Sequence, residues 1–312
     1  MRKYASIIAS LALLAVAGYV AVQQKNRETA VTADREKPPG PGAFSPGADC
    51  ARLPQFLGRL KIPQPVLIDL SQKRYTGIAL HYGRNYEETL HPEVWEKYEH
   101  FGTYALNGQG DIYLSPTPFI SVRPGTFELQ KNIYKLDSKT GALSAFMHFD
   151  DVRPSANNPY GVISLAYDCE DRTLWVSAID ETDYQNQKGV IYQVDPETKE
   201  IRQRIEGFDA LTVLLLPTGS GKFLLAGSAR DNALYAYAIA EGMASSRPVK
   251  LLELPVAQER IRKIRIAGKN HLELQTIPFS YTLLAQSTTR DRTYYDAKWD
   301  ASASRWKLEK RE

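Results

Sequence analysis

Residues Leu214 to Leu225 read LLLPTGSGKFLL, and the Gly219-Ser220-Gly221-Lys222 at their centre has the composition of half a phosphate-binding loop. Such a loop needs a glycine five positions before Gly221 and a hydroxyl residue after the lysine. Leu216 and Phe223 stand there, so the stretch is expected to be a tight turn between two strands. Two Arg-Asp pairs, Arg230-Asp231 in SARDNALY and Arg290-Asp291 in STTRDRTYY, fall in corresponding inter-strand loops. They could line a pocket for a polar ligand or form ordinary salt-bridged loops. DETDY (Asp180 to Tyr184) gathers three carboxylates, either a calcium site or a solvated acidic loop; it lacks the glycine and ligand spacing of a calcium loop. His81, His91 and His100 match no metal-ligand spacing, and neither H-E-x-x-H nor G-x-S-x-G occurs.

These residues are carried by a repeated pattern of hairpins. NIYKLDSKTGALSAF (Asn132 to Phe146) and VIYQVDPETKEIRQRI (Val190 to Ile205) both run strand, Asp-x-x-Thr turn, strand; Val66 to Leu80 and Arg292 to Glu309 are looser versions. A second hairpin type, with a turn of Gly, Asp, Asn or Lys, spans Thr103 to Ser115, Gly161 to Ile179, Leu211 to Ser228 and Arg262 to Ile277. The two types alternate. Four strands per unit, at a period of about 45 to 60 residues, predict an all-β chain folded as a β-propeller. Five or six four-stranded blades are both compatible with the pattern, since PFSYTLLAQS (Pro278 to Ser287) could supply another strand. LHPEVWEKYEHFG (Leu90 to Gly102) predicts one short inserted helix.

Asn158 to Ile201, NPYGVISLAYDCEDRTLWVSAIDETDYQNQKGVIYQVDPETKEI, resembles a blade of the NHL-repeat propellers and of the related regucalcin and gluconolactonase-like propellers. The resemblance rests on Pro159 and Gly161 opening the inner strand, Asp168 at the turn, TLWVSAID ending in Asp180, and Tyr192-Gln193-Val194-Asp195 as the third strand. In gluconolactonase-like enzymes a divalent cation on the ring axis is held by Asn and Asp side chains and by a Glu near the first blade. The resemblance places Asn158 and Asp180 at positions like the Asn and Asp, as candidate ligands for calcium or another divalent cation able to polarise a lactone carbonyl. No first-blade Glu is matched.

The N-terminus sets the compartment. Arg2 and Lys3 precede an uncharged, mostly apolar run from Ala5 to Val22, which is expected to be an export signal, either cleaved or kept as a membrane anchor. Residues 23–49, polar and then rich in Pro and Gly, predict a flexible tether, with the propeller over 50–312. Cys50 and Cys169 are the only cysteines; in an exported protein they read as one disulfide, with two buried thiols as the alternative. The chain has 39 basic and 36 acidic residues, a balance that argues against nucleic acid as partner. Its most basic stretch, QERIRKIRIAGK, alternates Arg260, Arg262 and Arg265 with isoleucines, as in a half-buried strand with one solvated face.

Two functions follow from this reading. One is an exported or membrane-tethered binding module of the cell envelope, in the periplasm or outside the cell, whose partner is a small molecule or an envelope protein. The other is a cation-dependent lactone or ester hydrolase. An axis plugged by apolar side chains would favour binding, and Asn158 and Asp180 clustered with a third carboxylate would favour hydrolysis.

Overall fold

The aspartates of the repeated turns seed the hairpins. Asp137 Oδ1 accepts the backbone N–H groups of Lys139 and Thr140, Asp195 Oδ1 those of Glu197 and Thr198, and Asp300 Oδ1 those of Ser302 and Ala303. Each carboxylate thereby holds a reversal closed between two alternating runs. In the computed structural model, residues 43–45, 50–71, 74–98, 100–118, 126–183, 185–281 and 292–311 are described. They form five antiparallel sheets, the blades of a five-bladed β-propeller.

The first blade contributes β1 (Leu67–Asp69), β2 (Ala79–Tyr82) and β3 (Glu88–Leu90). The second holds β4 (Phe101–Leu106), β5 (Ile112–Pro116), β6 (Asn132–Leu136) and β7 (Leu143–His148). The third holds β8 (Val162–Asp168), β9 (Thr173–Ala178), β10 (Val190–Val194) and β11 (Ile201–Glu206). In the fourth, β12 (Ala210–Thr218), β13 (Gly221–Ser228) and β14 (Ala233–Ala240) are followed by an outer edge shared between β15 (Met243–Ala244) and β16 (Val249–Glu253). The fifth holds β17 (Glu259–Gly268), β18 (His271–Pro278), β19 (Thr293–Asp300) and β20 (Arg305–Lys310). Of the expected extra strand at 278–287, residues 279–281 are not a strand and 282–287 lie outside the described residues.

Blades pack face to face through apolar layers. Ile133, Val162 and Val176 lie in the layer between the second and third blades, Trp175, Ile191 and Tyr237 between the third and fourth, and Leu225, Leu234, Ile261 and Leu274 between the fourth and fifth. Ile78, Leu80, Phe101 and Tyr134 join the first blade to the second. Burying an aliphatic or aromatic side chain of this kind contributes about 1.5–3 kcal/mol, so these layers are what hold one blade to the next.

One expectation needs correction, and part of the expected tether has described contacts. The helix expected over 90–102 is a single 3-10 turn, Glu93–Trp95, because the segment is pinned by one buried side chain: Trp95 is 1% exposed and its Nε1 donates to the carbonyl of Gly141. Among the described residues the α-helix is instead α1 (Gln55–Arg59), which buries Phe56 and Leu57. Of the tether expected over 23–49, residues 43–45 are described and the rest lies outside the described residues. Phe44 is 3% exposed in the layer between the fourth and fifth blades, and its backbone exchanges hydrogen bonds with Asn270. The described residues on either side of 46–49, which we call the strap, lie against the inner hairpin turns. Ala43 accepts from Gly219 N, Cys50 is bonded to Cys169, and Arg52 N donates to Asn107. One end of the ring is therefore the strap end, and the loops before β8, β12 and β17 and after β9 and β13 form the opposite, loop end.

Candidate ligand-binding site

The inner strands of four blades share a local defect. Pairing between first and second strands shifts register at Phe101/Thr103, Val162/Ser164, Ala210/Thr212 and Ile261/Lys263, so Gly102, Ile163, Leu211 and Arg262 occupy four equivalent bulges. A bulge turns its residue out of the alternation and bends the strand. These four residues converge where the inner strands meet. Thr103 and Ser115 hydroxyls both donate to the Ile163 carbonyl, Arg262 Nη1 donates to the Leu211 carbonyl at 3.2 Å, and Arg262 Nη2 lies 3.1 Å from where a side chain on Gly102 would begin. Ile163 and Leu211 pack with Tyr160, Ile179, Ala229 and Tyr281 in one buried apolar cluster, with Phe279 against it. The axis is plugged at the loop end.

Around this plug, polar side chains tie the loops together. Asn158 is 3% exposed; its Nδ2 donates to the Thr182 carbonyl and its Oδ1 accepts from Tyr160 N. Asp180 is half-buried and its Oδ1 accepts Arg153 N; burial raises its carboxyl above the usual range, against the pull of that bond, with Glu181 and Asp151 adding repulsion. Arg230 Nη1 donates to the Asp183 carbonyl, and its guanidinium lies 5.6 Å from the Tyr281 ring centre. Asp231 accepts the Tyr235 hydroxyl at 2.6 Å. Asn158, Asp180 and Arg230 thus meet around the 180–189 loop, Asp231 turns to its own strand, and Arg290 lies outside the described residues.

Sequence reasoning passed over the hub of this arrangement. Asp209 is fully buried and accepts from Tyr281 Oη, Thr182 Oγ1 and Gly189 N, each at 2.7 Å. Burial raises its carboxyl above the usual range although all three bonds favour the ionised form. A single Asp after Gly-Phe carries no motif that would have flagged it.

The other candidates resolve into local structure. Gly219–Lys222 is the turn of the β12–β13 hairpin, and Lys222 Nζ reaches Asp168, Glu170 and Asp171 at 2.8, 3.2 and 2.6 Å on the neighbouring blade. Burial opposes that charge, but the hydrogen bonds from Asp168 and Asp171 outweigh it and hold the lysine above its ordinary range. Within DETDY, Glu181 pairs with Lys188 and Arg153, while Asp183 Oδ1 accepts the amides of Gln185 and Asn186. His81 contacts Thr89 and Asp69, and His91 contacts Ile78 and Glu96. Among the described residues no group of three or more His, Cys, Asp or Glu is placed to hold a metal ion. A hollow of about 300 Å³ lined by Arg52, Gln55, Leu57 and Gln64 lies beside α1 and brings no acid–base pair together.

The chain matches no family model, and no curated protein matches it in sequence. Solved structures similar to it include an exo-β-1,3-galactanase from Clostridium thermocellum, 10% identical with a TM-score of 0.45, covering 80% of this chain and 60% of that one. An auxiliary nutrient binding protein from Bacteroides ovatus is 9% identical with a TM-score of 0.41 over 75% of this chain and 51% of that one. A GH43B protein of the Bacteroides ovatus xyloglucan locus is 10% identical with a TM-score of 0.39 over 64% and 38%. The chain therefore spans between 38% and 60% of the length of these structures. At such scores they carry no argument about activity or ligand. The resemblance of residues 158–201 to NHL-repeat and gluconolactonase-like propellers holds as far as the propeller fold, which the five sheets themselves establish.

Proposed function

We propose that this propeller is an exported binding module of the cell envelope, whose ligand is a small molecule or an envelope protein held at the loop end of the ring. The plugged axis carries this reading. Ile163 and Leu211 fill the place where an axial ligand set would converge, and the amide of Asn158 is committed to the backbone of Thr182 and Tyr160. Those two bonds fix the Asn158 carboxamide against the loop backbone, where it serves the architecture of the loop end. The loops that meet there, at 153–161, 180–189 and 228–233, are cross-tied by hydrogen bonds, the kind of rigid support a preformed binding surface needs.

Export is supported by the Cys50–Cys169 disulfide, which suits an oxidising compartment. Among the described residues no helix is long and apolar enough to cross a membrane; the run 5–22, expected to be a signal or anchor, lies outside them. Thermal unfolding of the purified protein during calcium, magnesium, manganese and zinc titrations tests the reading. The expected result is no saturable stabilisation that depends on Asp180. Stabilisation that saturates and disappears in Asp180→Ala would overturn it in favour of a cation-dependent lactone or ester hydrolase.

A further inference from the structure

The fifth blade breaks the pattern of the other inner strands at two successive positions. At the bulge, the second to fourth blades carry Gly102, Ile163 and Leu211; the fifth carries Arg262. At the next position they carry Thr103, Ser164 and Thr212, small hydroxyl residues of which Thr103 and Ser164 hydrogen-bond the neighbouring inner strand. The fifth carries Lys263. A third cation joins them. The row Lys263–Gln275–Tyr294 runs across β17, β18 and β19, so these side chains share the face turned away from the fourth blade, and Arg292 immediately precedes β19 at the loop end of that face, near enough to Lys263 to repel its charge. Arg262 follows and Arg292 precedes the row Ile261–Thr276–Thr293, on strands two spacings, about 10 Å, apart, and the two guanidinium groups are close enough to repel each other and Lys263.

The same sheet face neutralises its other cations. Arg265 and Arg311 pair with Glu273, Arg311 also with Asp296, and Lys298 with Glu309. Among the described residues no carboxylate lies within salt-bridge distance of Arg262, Lys263 or Arg292. Arg262 is half-buried with Nη1 committed to a carbonyl; burial lowers its hold on the charge, Tyr160 partly restores it and Arg292 repels it, while Lys263 is lowered by desolvation and by repulsion from Arg262 and Arg292. Arg262, half-buried beside the plug with two further cations near it and no carboxylate partner among the described residues, carries a penalty that an anion would reduce.

We propose that Arg262, Lys263 and Arg292 form an oxyanion site at the loop end of the axis, which takes a carboxylate or phosphate group of the ligand. The proposal rests on the binding reading above and gives it a chemical class. Forked guanidinium donors match the planar or trigonal edges of such groups, and Gly102 leaves Arg262 Nη2 the room that a larger residue would take.

Calorimetric titration with inorganic phosphate, citrate and glucuronate, each at low ionic strength, tests it. At least one should bind saturably, weaken as salt rises, and lose about tenfold or more in affinity in Lys263→Met and in Arg292→Gln. Arg265→Gln, on the same face but paired with Glu273, should bind as the wild type does. Binding of phosphate alone would mark a phosphorylated ligand, and binding of the carboxylates alone an acidic sugar or peptide. Arg262→Gln adds to the test if it folds; Lys263 and Arg292 are exposed, so their variants carry it otherwise. No saturable binding of any probe at millimolar concentration, or equal affinity in the Lys263 and Arg292 variants, overturns the proposal. Turnover of a lactone or ester would instead overturn the binding reading itself, so the two failures are distinct.

Discussion

Reducing the Cys50–Cys169 bond should weaken the fold by an amount set by the loop it closes. The two cysteines are 119 residues apart, and that span covers the whole first and second blades and the inner strand of the third. In the chain-entropy description, closing a loop of this size removes from the unfolded ensemble entropy worth about 5 kcal/mol at 25 °C. Phe44 packs upstream of the bond and Arg52 N donates to Asn107 downstream, so the native contacts around it are expected to survive its loss. Most of the effect should therefore act through the unfolded chain. For a domain of this size it corresponds to a fall in Tm of about 10–20 °C. Denaturant unfolding of the oxidised protein, the reduced protein and the Cys50→Ser/Cys169→Ser double variant measures it, with the variant and the reduced protein expected to coincide. A loss below about 1 kcal/mol would refute the reasoning, since it would mean that the strap's other contacts already hold the two ends together in the unfolded state.

Phe44→Ala should destabilise the protein by about 3–5 kcal/mol in denaturant unfolding, the loss typical of a buried Phe; a change under about 1 kcal/mol would show that the strap is not part of the core. Gly189→Ala should also be destabilising, since a Cβ there would meet Asp209 Oδ1 at 2.4 Å and the Phe208 carbonyl at 2.6 Å; an unchanged unfolding midpoint would contradict that packing. Asp209 sets a pH dependence. Its folded carboxyl is held above the ordinary carboxylate value, so its contribution is fully present below that value, about pH 4, and is lost as pH rises through the folded value. Stability measured against pH should lose this component in Asp209→Asn, and a slope identical in the two proteins would count against it.

How much of this was readable in the sequence depended on whether a feature was local. Asp137 and Asp195 act on amides two and three residues ahead, so Asp-x-x-Thr announced its hairpins directly. The fourth blade's outer hairpin has Glu241-Gly242 at its turn and no such aspartate, and it went unread. Phe44 sits among Pro and Gly residues that suggest a tether; only its partners, in the fourth and fifth blades, give it a place in the core. The basic stretch was legible in part. Ile261, Ile264 and Ile266 face the fourth blade and Lys263 and Arg265 face away, as in a half-buried strand. The three-residue step from Ile261 to Ile264, followed by a two-residue step to Ile266, was the trace of the bulge that aims Arg262 at the axis. Asn158 and Asp180 came from a blade resemblance, which could place their backbones but not reveal that Thr182, Tyr160 and Arg153 would take up their polar atoms.

The most direct test of the binding reading is a hydrolysis assay of the purified protein on a panel of lactones and esters with calcium present. The account predicts no turnover above the rate in buffer, because Asn158 and Asp180 serve the loop backbone and the axis is filled by Ile163 and Leu211. Saturable turnover that is lost in Asp180→Ala would contradict it.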